Sequence, residues 1–522
     1  MMAPMSLAAT LALVVLAGGS ASADERPTPG PAALRTAAER GDAEAQYQLG
    51  LAYLARGGRA AEREAVRWLK AAASQRHAAA EARLARLYVE GTAVRADPRA
   101  AAELVPESTR LLEDAVAQGQ PDALLGMAEA REAGRGVSKD PDEALRLLRA
   151  AAEKGQAEAA FRLARMYVTG TRVPKDEAQG ARWLRLAAER GHGEAQLALG
   201  LQLAGAGRPA SEDEAVRFFR LAAEQGLPAA QFELGQALAH GAGVPRDEEA
   251  AVRWYRAAAD KGHPAAMFNL GWMLANGVGT PHDEPGAIRW YRAAALLDDV
   301  NAQFNLGVML SRGRGVPRDD PEAARWFRAA ARRGDASAQF AVGTLYAEGR
   351  GVEQDDREAV RWYRAAAAQG HREAQNNLGS MYEHGRGVSI DLREAARLYR
   401  AAAEGGDAAA QLNLALLLEG GRGVAKDERE AAGWLRAAAE QEEPDALARL
   451  ADYQARGRGG LARDPNAAAE NDYRAGLAYL GQGRAAQARL CAEALRGLAT
   501  EGGLDASHLQ LRERLLAALA GK

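Results

Sequence analysis

The sequence predicts an all-α protein, an α/α superhelical solenoid of about twelve helix-hairpin repeats with helical caps. Two observations lead to this fold class. Alanine supplies 125 of the 522 residues while aromatic residues supply only 6%, and one phrase of about 36 residues recurs along the chain. Small apolar side chains suit closely packed helices, and repetition at this period is the signature of a repeat array. A single hairpin cannot bury its apolar face alone, but stacked copies can.

The first 23 residues have the pattern of a cleaved signal peptide. An apolar run at 7–17 is followed by Ala21-Ser22-Ala23 and then Asp24, although no Lys or Arg precedes the run. The pattern predicts cleavage after Ala23 and a periplasmic or secreted location. The alternative is a short hydrophobic tail on a cytosolic protein. No other apolar run approaches the ~20 residues that span a bilayer, so we expect no integral membrane segment after signal cleavage.

The repeats occupy residues 45–460, after an N-terminal linker and capping helix at 24–44. An insertion around 101–108 lengthens one interval, and residues 461–522 are predicted to form C-terminal capping helices. Each repeat begins at an alanine, and the twelve starting residues are Ala45, Ala80, Ala123, Ala159, Ala195, Ala230, Ala266, Ala302, Ala338, Ala374, Ala410 and Ala446.

Each repeat predicts two helices. A Gly-x-Gly-Val turn, such as the one at 313–316, ends the first helix, because glycine adopts a left-handed cap conformation at little cost. Asp319 and Glu322 then resemble a capping box that starts the second helix. The second helix carries a recurring Arg-Trp-aromatic-Arg phrase, and we expect its tryptophan, here Trp326, to lie in the core.

The repeat resembles the SEL-one-like repeat, a relative of the tetratricopeptide repeat. Residues 338–370 match the family phrase almost throughout, with Val342 in place of leucine. The resemblance covers about residues 32–460. It implies a helix-hairpin solenoid that acts as a scaffold for other proteins, with the first helix of each repeat lining a concave groove.

Composition and single residues exclude several other kinds of protein. A net charge of -3 gives no basic excess for general nucleic-acid binding. The single cysteine, Cys491, rules out an internal disulfide and a cysteine zinc cluster, and we expect it to be buried in the terminal cap. Equivalent histidines such as His263 and His371 lie too many repeats apart to share a metal, and we expect surface or loop positions for them. We therefore expect no cofactor and no metal.

The candidate binding surface comes from the first helix. A helical wheel leaves three positions outside the apolar arc, namely the third, sixth and tenth residues after the repeat alanine, and we call these positions the groove stripe. The third position is often asparagine, whereas the sixth and tenth vary between repeats. The candidate partner-binding residues on this stripe are Asn269, Trp272, Asn276, Asn305, Val308 and Arg312.

Trp272 is the strongest single candidate, because it is the only one of eight tryptophans outside the second-helix phrase. Exposed in the groove, it would anchor a peptide, with amides for the peptide backbone and Arg312 for an acidic group. Two alternatives remain open. Trp272 could fill a packing gap near residues 296–299, and the asparagines could bond between adjacent repeats.

The leading functional hypothesis is an exported, non-catalytic repeat scaffold that binds a protein or peptide partner through its concave groove. The alternative is a cell-envelope regulator or a binder of peptidoglycan or polysaccharide. An enzyme is not expected, because no acid/base pair, nucleophile set or metal cluster stands out in the sequence.

Overall fold

A computed structural model describes residues 31–56, 59–77, 79–81, 83–84, 109–110, 112–134, 137–207, 209–501 and 504–520. The predicted signal peptide and the insertion around 101–108 lie outside these residues. Within the described ranges the regular structure is helical, which confirms the predicted all-α solenoid of hairpins. The chain divides into two compact units, residues 1–283 and 284–522.

The first described helix, Pro31–Glu39, packs on the first repeat, where Leu34 and Ala38 are buried with Ala45 and Leu49. The helices of this unit whose bounds are described are Pro31–Glu39, Ala43–Arg56, Arg59–Ser74, Pro121–Ala133, Pro141–Glu153, Ala157–Thr169, Glu177–Glu189, Gly193–Ala204, Pro209–Glu224, Pro228–His240, Glu248–Asp260 and Pro264–Asn276.

The second unit continues the same alternation and ends in longer helices. The second helix of the last hairpin, Pro465–Gly481, begins after residue 460, where the repeat phrase fades. The helices of this unit are Glu284–Leu296, Val300–Arg312, Asp320–Arg332, Ala336–Glu348, Asp356–Ala368, Arg372–His384, Leu392–Glu404, Ala408–Gly420, Glu428–Glu440, Pro444–Arg456, Pro465–Gly481, Ala485–Glu501, the 3-10 turn His508–Gln510 and Leu511–Ala520.

The terminal helices pack into the hydrophobic core of the last repeats. Leu515 is fully buried, and its side chain lies so close to Gly476 that a Cβ there would be 2.5 Å away. Cys491 is buried in the same cluster, as expected. Burial raises the pKa of the Cys491 thiol to about 12, so the thiol is protonated at neutral pH.

The aspartates before the second helices are N-caps, but the predicted capping box is only half formed. The Asp319 carboxylate accepts from the Glu322 backbone N–H at 2.8 Å. The backbone N–H of Asp319 does not need Glu322, because it donates to the Leu310 carbonyl at 3.0 Å. The Glu322 carboxylate instead accepts from Trp326 Nε1 at 3.2 Å and from Arg292 of the preceding second helix at 2.8 Å.

In seven turns, from the one at Gly243 to the one at Gly459, the second glycine sets the distance between neighbouring repeats. Gly351 has φ +66°, and a Cβ there would lie 2.3 Å from the Asp320 carbonyl oxygen of the preceding repeat. Only glycine combines this backbone conformation with so close an approach. Arg350, one residue earlier, forms an ion pair with Asp320 at 3.1 Å. The turn therefore holds the start of the neighbouring second helix by both backbone contact and charge.

Within a hairpin, a glycine of the first helix receives an aromatic ring of the second. A Cβ at Gly307 would lie 2.7 Å from the Phe327 ring. The same contact, at 2.6–2.8 Å, joins Gly200 to Phe219, Gly235 to Tyr255, Gly343 to Tyr363 and Gly379 to Tyr399. Where alanine replaces the glycine, leucine replaces the ring, as in the buried pairs Ala128 and Leu148, Ala164 and Leu184, and Ala415 and Leu435.

This contact corrects the prediction for the tryptophans. Phe327 is 4% exposed, whereas its neighbour Trp326 is only half-buried. Adjacent helical residues point about 100° apart, so only one of the two rings can face the first helix. The tryptophans of the other repeats are also half-buried. The ring that follows each tryptophan is therefore the core residue.

The histidines that precede first helices are N-caps rather than simple surface residues. His192 is buried, its Nδ1 accepts from the Ala195 backbone N–H at 3.2 Å, and its ring stacks on Phe161 with centroids 4.4 Å apart. His263 and His371 cap their helices in the same way and stack on Phe232 and Phe340.

In seven repeats a glutamine joins the first helix to the helix before it. Gln339 Nε2 donates to the Ala331 carbonyl at 3.2 Å, which satisfies a carbonyl near the end of the preceding helix. Gln369 Nε2 in turn donates to Gln339 Oε1 at 2.8 Å. The same donation to a carbonyl eight residues earlier is made by Gln46, Gln196, Gln231, Gln303, Gln375 and Gln411.

The last hairpin contains a carboxyl at the core position of the ring. Asp472 follows its N-cap, Asp464, by eight residues, as Leu435 follows Asp427. Asp472 is 6% exposed. Burial, with a smaller contribution from the charge of Asp452, raises the pKa of Asp472 to about 7.

The glycine–ring contact predicts strong coupling between Gly307 and Phe327. Gly307→Ala should destabilise the chain by about 1–3 kcal/mol, because the added methyl group overlaps the ring. Phe327→Leu combined with Gly307→Ala should recover part of this loss, as in the repeats with alanine and leucine. Denaturant unfolding of the four proteins of this cycle would measure a coupling energy above about 1 kcal/mol. Additive effects would contradict the proposed contact.

The buried carboxyl predicts that stability falls as pH rises. The folded-state pKa of Asp472 is above the ordinary aspartate value of about 3.9, so the folded chain binds more protons between about pH 4 and 7. The full free energy of unfolding is therefore present below about pH 4, and part of it is lost as the pH rises toward about 7 and the buried Asp472 carboxyl ionises. Asp472→Asn should therefore stabilise the chain at pH 8 by up to about 4 kcal/mol and change it little at pH 4. Thermal unfolding of both proteins at the two pH values tests this, and equal stability at pH 8 would contradict it.

Candidate functional site

The groove stripe is the part of the first helices that packing leaves uncovered. In the six repeats that begin at residues 230 to 410, the third and sixth positions are half-buried or exposed, and the tenth position is exposed in every one. The six candidate residues divide between the two units. Asn269, Trp272 and Asn276 lie on Pro264–Asn276 of the first unit. The other three lie on Val300–Arg312 of the second.

Trp272 lies at the surface of the first unit, with 47% of its area exposed. Asn276, one turn later, is also exposed, and its Nδ2 donates to the Trp272 carbonyl at 2.8 Å. The two side chains that follow Trp272, Met273 and Leu274, are buried on the other side of the helix. The helix thus fixes the indole outward by burying its other side.

Asn269 interacts with Tyr255, the buried ring of the preceding second helix. Burial raises the pKa of Tyr255 to about 12, against a smaller opposing effect of the Asn269 side chain, so the hydroxyl stays protonated. In the second unit, Asn413 Nδ2 donates to Asn376 Oδ1 of the neighbouring first helix at 2.9 Å. At that position the asparagine joins adjacent repeats.

The second unit presents a different set of groups on the stripe. Asn305 is half-buried, and its Nδ2 donates to the Asn301 carbonyl of its own helix at 2.9 Å. Val308 is half-buried and Arg312 is exposed at the last position of the helix. Arg312 lies where the partial negative charge of the helix end favours a cation.

Sequence reasoning missed Glu233, which is the third residue after the repeat alanine in the repeat before that of Trp272. Its carboxyl is half-buried, and burial raises its pKa to about 7. The signal was present, because Glu233 is the only carboxylate at this position among the twelve repeats.

A second charged group on the first unit is fully paired. Arg162 contacts Glu129 at 2.8 Å and Glu158 at 2.5 Å, and Glu158 also contacts His192 Nε2 at 2.9 Å. Burial acts to raise the pKa of Glu158, but the His192 hydrogen bond and the Arg162 charge outweigh it and lower the pKa to about 2. Since each charge has its partner, this network holds repeats together.

The described residues include neither a membrane-spanning helix nor a metal-binding cluster. None of the described helices has the length and apolar character needed to cross a bilayer. The described part of the chain also holds no group of three or more His, Cys, Asp or Glu side chains placed to bind a metal ion.

The repeats match a known family model and known structures. A crystal structure of c5321, a protective antigen of uropathogenic Escherichia coli with an SLR fold, is 29% identical, with a TM-score of 0.70 over 88% of this chain and 94% of that one. A Sel1 repeat protein from Oxalobacter formigenes is 33% identical, with a TM-score of 0.48 over 57% of this chain and 87% of that one. No curated protein matches the chain in sequence.

The family model, described as Sel1 repeat, matches twelve segments of the chain. They are residues 43–77, 78–104, 121–156, 157–192, 193–227, 228–263, 264–299, 300–335, 336–371, 372–407, 408–443 and 444–471. These segments confirm the predicted resemblance to the SEL-one-like repeat and the number of repeats. Because the matches cover most of its length, the chain belongs to the Sel1 repeat family.

Proposed function

We propose that this chain is an exported, non-catalytic scaffold that binds a protein or peptide partner through the groove stripe, on the concave face that first helices line in such repeats. One observation carries the proposal. Trp272, a large aromatic side chain, is 47% exposed on the first unit, at a position where the core contacts of the repeat are made by other residues. Exposed tryptophans are frequent anchors of binding energy.

The neighbours of Trp272 supply what a peptide backbone needs. Asn276 uses an N–H on its own helix, which leaves its carbonyl oxygen as an acceptor for a peptide N–H. In the second unit, taken by itself, Asn305 has the same arrangement and Arg312 is an exposed cation. An amide held beside an aromatic anchor, as Asn276 is beside Trp272, is typical of peptide recognition.

Variation along the stripe also favours recognition. The residues that join repeats, such as the turn glycines and the buried glutamines, recur from copy to copy. The sixth stripe position instead changes from Gln236 to Trp272, Val308, Thr344 and Ser380. Side chains that vary while the packing residues do not are free to match a partner.

Export of the scaffold is supported by the N-terminal pattern alone. The apolar run at 7–17 and the small residues Ala21-Ser22-Ala23 have the order and length of a secretory signal. A periplasmic or secreted scaffold would meet its partner in the cell envelope or beyond it.

Substitution of Trp272 tests partner binding. Trp272→Ala should weaken capture of a stoichiometric protein from envelope extract by about 2 kcal/mol or more, while the melting temperature stays nearly unchanged because half of the side chain is exposed. Arg253→Ala, on the exposed side of a second helix, is the control and should change neither. Capture that depends on Arg253 but not on Trp272 would move the site off the stripe. Retention on peptidoglycan or polysaccharide alone would favour the glycan-binding alternative.

The N-terminus of the mature protein tests export. Cleavage after Ala23 should give a chain that begins at Asp24. Intact mass measurement of protein purified from its native host would show this, and a product that retains Met1 or Met2 would contradict export.

A further inference from the structure

One histidine, His263, lies at the joint between the repeats that begin at 230 and 266. Its Nδ1 accepts from the Ala266 backbone N–H at 3.3 Å, and its ring stacks on Phe232 of the preceding first helix with centroids 4.8 Å apart. The side chain is half-buried. A ring nitrogen that accepts a hydrogen bond carries no proton, so this cap requires the neutral histidine.

His192, the equivalent cap two repeats earlier, has a carboxylate partner that His263 lacks. The Nε2 of His192 contacts Glu158 at 2.9 Å, and Glu158 is the second residue after the N-cap of the preceding first helix. The residue at the same place before His263 is Ala229. A protonated His192 therefore keeps a counter-ion, whereas a protonated His263 has none at this place.

The charged groups around His263 do not replace that carboxylate. Its own helix, Pro264–Asn276, contains no acidic or basic residue. The preceding hairpin supplies Glu233, next to the stacked ring, and Arg256, Asp260 and Lys261 in the last two turns before the histidine. The other charged residues of that hairpin lie farther along, toward the turn at its opposite end. Burial lowers the pKa of His263, and none of these charges offsets the effect of burial.

The hairpin on which His263 packs also lacks a hydrogen bond that other hairpins have. In the repeat before it, the Oε1 of Gln196 accepts from Gln225, which follows the second helix, at 2.9 Å. At the place of Gln225 this hairpin has Lys261, which donates to the Gly226 carbonyl instead. The buried Gln231 Oε1 accepts no hydrogen bond within the described residues. This end of the hairpin is therefore less firmly held than its equivalent one repeat earlier.

We propose that His263 makes this joint sensitive to acid, because protonation of its ring removes the cap of the helix that carries Trp272 and loosens the packing of the two repeats. The added proton occupies Nδ1, so two donors then face each other where the Ala266 N–H was bonded. The positive end of the helix dipole also disfavours a cation there. The inference concerns the helix itself, goes beyond partner binding and requires no partner.

The pH range follows from the sign of the shift. Burial holds the pKa of His263 in the folded chain below its ordinary value of 6.5, so the unfolded chain binds more protons as the pH falls. The stability that the neutral cap contributes is complete above about pH 6.5, and it is lost as the pH falls through the lower pKa of the folded state.

Hydrogen exchange of the full mature chain, measured by mass spectrometry at about pH 7.5 and about pH 5, tests the proposal. Rates are scaled to those of unstructured peptides at the same pH. Peptides from Pro264–Asn276 should exchange about tenfold faster on this scale at the lower pH. Ala229→Glu should remove most of the increase, because it places a carboxylate where Glu158 stands beside His192.

Two further variants separate the histidine from a general effect of acid. His263→Asn keeps a capping oxygen without a titrating group and should abolish the increase. His371→Asn changes the equivalent cap in the second unit and is the matched control, which should leave the increase in Pro264–Asn276 as it is in the wild type.

Three outcomes would overturn the inference. They are equal exchange of Pro264–Asn276 at the two pH values, an increase that survives His263→Asn, and an equal increase in every helix of the chain. Partner capture is judged separately. If capture through Trp272 is absent at both pH values while the exchange result holds, the proposed function is wrong and the acid-sensitive joint stands.

Discussion

The contact between a first-helix glycine and a second-helix ring sets the geometry of each hairpin in which it occurs. At Gly307 the absence of a side chain lets the Phe327 ring reach within van der Waals distance of the first-helix backbone. The helices can then approach more closely than side chains on both would allow. Three repeats that carry alanine at this position carry leucine opposite it, so the combined volume changes little there. This contact determines which side of each of the two helices is buried and which is exposed.

Three recurring interactions then join one repeat to the next. The second turn glycine touches the backbone of the preceding second helix, the arginine before it forms an ion pair there, and a buried glutamine satisfies a carbonyl of the helix before it. These interactions use the turns and the buried sides of the helices. The groove stripe joins repeats only at some positions, as where Arg162 pairs with Glu129 and Asn413 donates to Asn376, so most of its other side chains are free to vary.

Much of this architecture could be predicted from the sequence, because it rests on short-range patterns. The turn glycines and the Asp319-type caps are local signals within a repeat, and the period is read from the spacing between repeats. The prediction that Trp326 is the core ring was wrong. Trp326 and Phe327 both belong to the recurring phrase, and only the position of the first helix shows which of the two rings faces it. Glu322 was assigned to a capping box, but it accepts instead from Trp326 on its own helix and from Arg292, a partner that becomes visible only when neighbouring second helices are stacked. Trp272 could be singled out by its position alone, whereas Glu233 drew no attention until its burial was known.

The backbone contact at Gly351 has a consequence for how such a chain can change over evolutionary time. Because the contact involves main-chain atoms of the preceding repeat, it does not depend on which side chains that repeat carries. A duplicated or deleted unit of one full period would present the same main-chain surface to its new neighbour. Unequal recombination could therefore lengthen or shorten the array without redesigning its joints, and each new copy would bring another set of outward-facing side chains on which selection could act.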